Sequence, residues 1–298
     1  MKNKDAIIID KKPLVLMYHS VGAPGPCEVG AELYCVNTEN FRKQMEYISK
    51  VTRSLPTLRS GQAGHQVTSS QNTKDEEREK KDDREGMMED GQEKRNHRPL
   101  TIDHRPIVIT FDDGLLDNYT NAYPILKELG LKAYFFILAS KIGTEGFMNW
   151  EQIKELKSAG MYIGSHGMTH RILTELNDAD MEYELRKSKQ LLEKNLACSS
   201  DYLSIPRGFY NQKVIAKAKE AGYKAIFTSN PKDNDGFTFG RIAVKGNWDT
   251  NYFIRVTKKG LSLKDKTKEL LKNTSKKILG AKTYDTLRTT LLKPNSTS

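Results

Sequence analysis

From residue 107 onward, short apolar runs alternate with amphipathic stretches, and that alternation leaves the chain few ways to fold. The apolar runs are 107–111, "KAYFFIL" (132–138), "MYIGSH" (161–166), "DYLSIP" (201–206), "KAIFTS" (224–229) and "GRIAVKG" (240–246). Between them, helical spacing predicts helices near 117–129, 150–158, 178–195 and 211–221. Upstream, "PLVLMYHSVG" (13–22) reads as a first strand. "TENFRKQMEYISKV" (38–51) reads as a helix capped by Thr38, with Phe41, Met45 and Ile48 on one face. Strands separated by crossover helices must run parallel, and about seven of them predict an α/β fold of the (β/α)-barrel kind. In such barrels the working residues stand at the C-terminal ends of strands.

Two segments interrupt this order. Residues 60–99 hold almost no core-forming side chains and read as a disordered or loosely helical charged insertion. From 255 to 298 there are twelve Lys and Arg against three Asp and Glu, a net +9 of the chain's +10. The basicity therefore belongs to the tail, and a general nucleic-acid function loses its support. The organisation expected is a catalytic barrel over 1–254 and a basic helical extension over 255–298. In that extension Leu263, Leu270, Leu271, Ile278, Leu287 and Leu291 fall near one helical face. Such a face packs on the barrel or lies on an anionic membrane surface, and packing is the reading favoured.

Cys27, Cys35 and Cys198 are odd in number and lack CxxC spacing, so they read as idle thiols and not as a disulfide framework or zinc site. The apolar part of the N-terminus is broken at Asp10, and no run is long enough to span a bilayer. A cytoplasmic protein, peripheral at the inner membrane face if the tail binds lipid, is expected.

The strand at 107–111 ends on adjacent carboxylates, Asp112 and Asp113, followed by Gly114. Like charges at the end of a core strand are costly unless they are used. "SHGMTH" sets His166 and His170 four apart, a spacing that lets both imidazoles face one point. Two His and one Asp with open positions suit a hydrolytic zinc ion or, equally, a ferrous oxygenase site. Successive strand residues point to opposite sides, so one carboxylate can bind a metal while the other takes a proton from its water.

"TFDDG" (110–114) and "SHGMTH" (165–170) resemble the first two motifs of the polysaccharide deacetylases, the NodB-homology or carbohydrate esterase family 4 group. "LMYHSVG", "NFRKQMEYI", "TFDDGLLDNYTNAYPILKELGLKAYFFI", "MNWEQIKELKSAGMYIGSHGMTH" and "IPRGFYN" extend the likeness over roughly residues 13–250. The resemblance implies a distorted (β/α)7-type barrel. It further implies a divalent metal, usually zinc, and removal of an acetyl group from an N-acetylated sugar. By matching position, Asp112 is the general base, and Asp113, His166 and His170 are the ligands.

Two departures stand out. Ser204 occupies the position of an arginine that, in many members, steers the catalytic Asp, and Arg207 is displaced from it by three. The loop Pro206, Arg207, Gly208 and Tyr210 is expected to face substrate and offer backbone N–H groups to an oxyanion. The late histidine that usually supplies the general acid is missing, because all six histidines lie at or before 170. His19, in "LMYHSVG", is the substitute, as in the branch with a "YH" near its start that acts on poly-N-acetylglucosamine-type polymers. Three alternatives remain: a deacylase, acetyl or formyl, of a lipid-linked sugar; a ferrous oxygenase; and a barrel that binds glycan without turnover.

Overall fold

Five consecutive buried residues, Leu14–Tyr18, form β1, which pairs in parallel with strands on both of its sides. The computed structural model describes residues 12–22, 31–53 and 105–292. The stretch 60–99, residues 1–11, Cys27, His65, His97 and His104 lie outside that set. After β1 come the short strands β2 (Ser20–Val21) and β3 (Cys35–Val36), which pair with each other. The later strands are β4 (Ile107–Phe111), β5 (Ala133–Ile137), β6 (Tyr162–Ser165), β7 (Tyr202–Ser204), β8 (Ala225–Thr228) and β9 (Thr238–Ala243). The order β1-β4-β5-β6-β7-β8-β9 closes on itself through β9 and β1, and every pairing in the ring is parallel. The seven-stranded barrel expected from the alternation is the observed fold.

The helices cover the outside. They are α1 (Thr38–Arg53), α2 (Tyr123–Glu128), α3 (Trp150–Ser158), α4 (Asp178–Glu182), α5 (Ser188–Leu196), α6 (Gln212–Glu220), α7 (Thr250–Lys259) and α8 (Leu263–Leu292). Asn37, not Thr38, caps α1: its side-chain oxygen accepts from Asn40 N at 2.8 Å and its carbonyl from Phe41 N at 2.9 Å. Two predicted helices carry π-type turns, Asn118–Ala122 before α2 and Tyr183–Lys187 between α4 and α5. Position 254 falls within α7, whose Phe253 and Val256 belong to the main core.

Strand alternation sorts side chains to two sides of the barrel wall. On β1 and β5, Leu14, Leu16, Tyr18, Ala133, Phe135 and Ile137 join the layer beneath the helices. Val15, Tyr134 and Phe136 join Phe227 and Phe239 in a separate aromatic cluster. Gly164 on β6 is required by this second packing, because a Cβ there would stand 2.7 Å from the Phe136 ring and 2.8 Å from the Tyr202 carbonyl oxygen. Gly164→Ala is expected to cost about 1–3 kcal/mol by overpacking, read as a lowered midpoint in denaturant with unchanged m.

α8 turns its sides opposite to the packing expectation. Leu263 (83% exposed), Leu270 (53%), Leu271 (61%), Ile278 (76%) and Leu287 (45%) face outward. Lys272 and Lys276 face the barrel mouth instead. Gly280, with φ 71°, breaks the helix into two segments. The Leu291 side chain is outside the described set. Cys35 and Cys198 are free thiols.

Candidate active site

The chemistry-bearing residues collect at the C-terminal ends of the strands. Asp112 follows β4, and its N–H donates to the carbonyl of Tyr18 at the end of β1 (3.0 Å). Asp113 then adopts a left-handed conformation (φ 73°), as does Gly114 (φ 75°). A non-glycine residue in that region is strained, and here the strain turns one of two neighbouring carboxylates away from the other.

His166 follows β6 and continues its ladder, donating from N–H to Ile137 O at 2.8 Å. His170, four residues on, is also left-handed (φ 65°). The loop between them is not helical. It is held by Glu184, a fully buried residue of the π-type turn, which accepts from Met168 N (2.7 Å), Thr169 N (2.9 Å) and the Thr169 hydroxyl. Sequence reasoning missed Glu184. Its signal was a carboxylate on the apolar face of a predicted helix.

Asp113, His166 and His170 offer donor atoms that all lie within 4.8 Å of one another. The Nε2 atoms of His166 and His170 stand 3.4 Å and 3.6 Å from Asp113 Oδ1. Donors around one cation with bonds of about 2 Å in tetrahedral array are about 3.3 Å apart, so the set fits a small divalent ion. His166 Nδ1 is 3.0 Å from the Ser204 carbonyl oxygen, which can only accept. The hydrogen therefore sits on Nδ1 and the Nε2 lone pair points to the shared centre. Burial, reinforced by His170, lowers the His166 pKa against the pull of Asp112 and Asp113, which keeps that lone pair available.

Asp112 is paired with Arg241, a residue of β9 that the sequence reading did not single out. The guanidinium is 1% exposed and uses all five of its donors. NH1 bonds Asp112 Oδ1 (2.7 Å) and Thr110 Oγ1 (3.2 Å), NH2 bonds Asp112 Oδ2 (2.8 Å) and Ser204 Oγ (2.7 Å), and Nε bonds the Thr228 carbonyl (3.2 Å). Burial alone would raise the Asp112 pKa, but the charge and hydrogen bonds of Arg241 outweigh it and hold the carboxyl well below the usual range. Ser204, which stands where an arginine was expected, makes room for a guanidinium arriving from another strand. The legible signal was a lone arginine in the otherwise apolar "FGRIAV".

His19 lines the same cavity as both aspartates, His166 and His170. Its backbone carbonyl accepts from Asn118 Nδ2 at 2.6 Å, its ring centroid is 5.2 Å from that of Tyr34, and its buried Nδ1 has no hydrogen-bond partner. Beside it, burial pushes the Asp117 carboxyl up to about 6 against the hydrogen bonds it accepts from Ser20 and Asn118.

The 206–210 loop divides. Arg207 (φ 60°) and Gly208 (φ 70°) line the cavity, Pro206 is buried under it, and Phe209 also lines it. Gly208 N–H donates to Ile205 O at 3.2 Å, so the turn itself occupies that expected oxyanion donor. The Tyr210 hydroxyl bonds Asp233, and Tyr210 is not among the residues that line the cavity. From α8, Lys272, Lys276 and Tyr284 complete the wall of this cavity of about 340 Å³.

Residues 101–226 match the family model described as polysaccharide deacetylase. This stretch is similar to the polysaccharide deacetylases. The match contains Asp112, Asp113, His166, His170 and the 206–210 loop. His19, Arg241 and α8 lie outside it. Among curated proteins, the Bacillus subtilis protein YxkH, named for the same family, is 34% identical over 153 residues, which is 49% of this chain and 55% of that protein. A Staphylococcus aureus poly-beta-1,6-N-acetyl-D-glucosamine N-deacetylase is 32% identical over 143 residues, 43% of this chain and 49% of its own length. The chain thus spans about half the length of the curated relatives it matches. Among solved structures, the deacetylase PplD of Streptococcus pyogenes aligns at a TM-score of 0.59 with 22% identity, covering 83% of this chain and 98% of that one. IcaB from Ammonifex degensii aligns at 0.56 with 20% identity, covering 83% and 96%. At these identities the likeness establishes the deacetylase-type barrel.

Removing Arg241 leaves a charged Asp112 in the barrel interior without its partner. Arg241→Met is expected to destabilise the protein by about 3–5 kcal/mol, measured by denaturant unfolding, and Asp112→Asn in the same chain should recover part of that loss.

Proposed function

We propose that this protein is a polysaccharide deacetylase, a metal-dependent hydrolase that removes the N-acetyl group of an N-acetylated glycan. The observation that carries the reading is the sharing of one cavity by a converging Asp-His-His donor set and a separately anchored carboxylate. Asp113, His166 and His170 would hold a divalent ion, taken here as zinc, which when bound would supply Lewis-acid polarisation and a more acidic water. Asp112, kept ionised and aimed by Arg241, accepts the proton of the attacking water at a carboxylate oxygen. His19, just past the end of β1 and lining the same cavity, is assigned as the acid that protonates the departing amine nitrogen. Arg207 and the backbone of its loop border the space where the acetyl oxygen gains charge. The Staphylococcus aureus relative, named for poly-beta-1,6-N-acetyl-D-glucosamine, supports an N-acetylglucosamine polymer or its precursor as the substrate.

Acetate release from N-acetylglucosamine oligomers, with chelator and with zinc restored, tests this reading. Asp112→Asn is expected to lower kcat by about 10²–10⁴-fold while elemental analysis still finds bound metal. His19→Ala should lose a similar factor, and near-normal turnover would remove it as the acid. A ferrous oxygenase would instead consume oxygen.

The outward leucines of α8 support a second element, attachment to a membrane surface. Among the described residues no helix is long and apolar enough to cross a membrane. Leu263, Leu270, Leu271 and Ile278 form an exposed apolar strip, and the exposed Lys264, Lys266 and Lys268 accompany it. That combination suits a helix lying on anionic lipid, as on the cytoplasmic leaflet. Co-sedimentation with vesicles containing phosphatidylserine, absent with neutral vesicles and lost in Leu270→Asp/Ile278→Asp, is the expected result. A wild-type protein that ignores both vesicle types would remove this element.

A further inference from the structure

The same helix presents an unusual inner side. Lys272 and Lys276 are one turn apart on α8 and both line the active-site cavity. Lys276 donates to the Arg207 carbonyl at 2.9 Å and lies 4.4 Å from the centre of the Phe209 ring. Lys272 stands 3.3 Å from Glu269, which lines a different, smaller pocket. Burial works against the Lys272 charge, yet the nearby Tyr34 and Glu269 raise its pKa.

The charges around the cavity divide by depth. The two lining carboxylates are committed within the catalytic centre, Asp112 to Arg241 and Asp113 to the histidines. The outer wall adds Lys141, Arg207, Lys272 and Lys276, all cationic. Burying a leucine side chain stabilises a fold by about 1.5–3 kcal/mol. α8 forgoes that gain at several positions while turning two ammonium groups into the mouth. Membrane attachment would account for the outward leucines, and an anionic ligand accounts for the two ammonium groups that line the cavity.

Resting on the deacetylase reading, we infer that Lys272 and Lys276 form a phosphate subsite, so that the substrate is an N-acetylated sugar carrying a phosphoryl group. Two ammonium groups on flexible stems, one turn apart, suit the compact charge and several oxygens of a phosphate. Lysine binds phosphate as a point charge, and arginine would serve carboxylate and phosphate alike. The phosphoryl group could belong to a soluble sugar phosphate or to a lipid diphosphate, and the chemistry at the lysines is the same for both.

The test uses the full-length protein loaded with zinc. Its substrates are an N-acetylglucosamine tetramer, N-acetylglucosamine 1-phosphate, a nucleotide-diphosphate-linked N-acetylglucosamine and an isoprenoid-diphosphate-linked one. The ratio of kcat/KM for a phosphorylated substrate to that for the tetramer is expected to exceed one in the wild type. In Lys272→Gln/Lys276→Gln that ratio should fall by about tenfold or more. Lys272→Arg/Lys276→Arg, which keeps both charges, should retain most of it. A preference confined to the isoprenoid substrate identifies the lipid as the source, and a preference for all three identifies the phosphate itself.

A ratio unchanged by the Gln substitutions, or a wild type that prefers the tetramer, overturns the proposal. Calorimetric binding of N-acetylglucosamine and its 1-phosphate to wild-type and Gln-substituted proteins separates this from the activity reading. If no substrate is hydrolysed, the deacetylase reading fails. The phosphate subsite then stands if the 1-phosphate binds more tightly than the free sugar and loses that advantage in the variant, and it falls if the two bind alike.

Discussion

The buried pair of Asp112 and Arg241 is the interaction on which the barrel interior and the site both depend. One guanidinium, with no donor to spare, ties the ends of β4, β7, β8 and β9 together. A charge placed there without its partner would face a desolvation penalty of several kcal/mol, so the pair is present as a unit or not at all. The pairing also sets the chemistry. It keeps Asp112 ionised and fixes its orientation, while leaving Asp113 to the two histidines.

Around that pair, the loops are shaped by residues in costly conformations. Asp113, His170 and Arg207 all have positive φ, and each lines the cavity. The strain is held by specific contacts. Glu184 clamps the histidine loop through the Met168 and Thr169 amides, and the Ser204 carbonyl fixes the His166 tautomer. Ser204 thus serves both halves of the centre, its carbonyl toward His166 and its hydroxyl toward Arg241.

Much of this was legible from residues alone. The seven apolar runs led to the closed parallel barrel because period and spacing are local properties of the chain. Asp112, Asp113, His166 and His170 stood out because charge and imidazole at strand ends are conspicuous against apolar runs. The helix cap moved by one residue, from Thr38 to Asn37, since both side chains can cap and only the backbone path decides between them. Tyr210 seemed to belong to the loop facing substrate, but its hydroxyl found Asp233, twenty-three residues away.

By itself, then, the sequence determined the barrel, the strand ends where charged residues collect, and the candidate donor residues, all through patterns within a few residues of one another. Only the tertiary structure decided which arginine meets Asp112, because β4 and β9 are separated by more than a hundred residues and brought into reach by closure of the ring. The same holds for α8. Its amphipathic pattern shows two faces, but which one turns to the barrel depends on what the mouth of the site presents. The mouth takes the lysines and leaves the leucines outside.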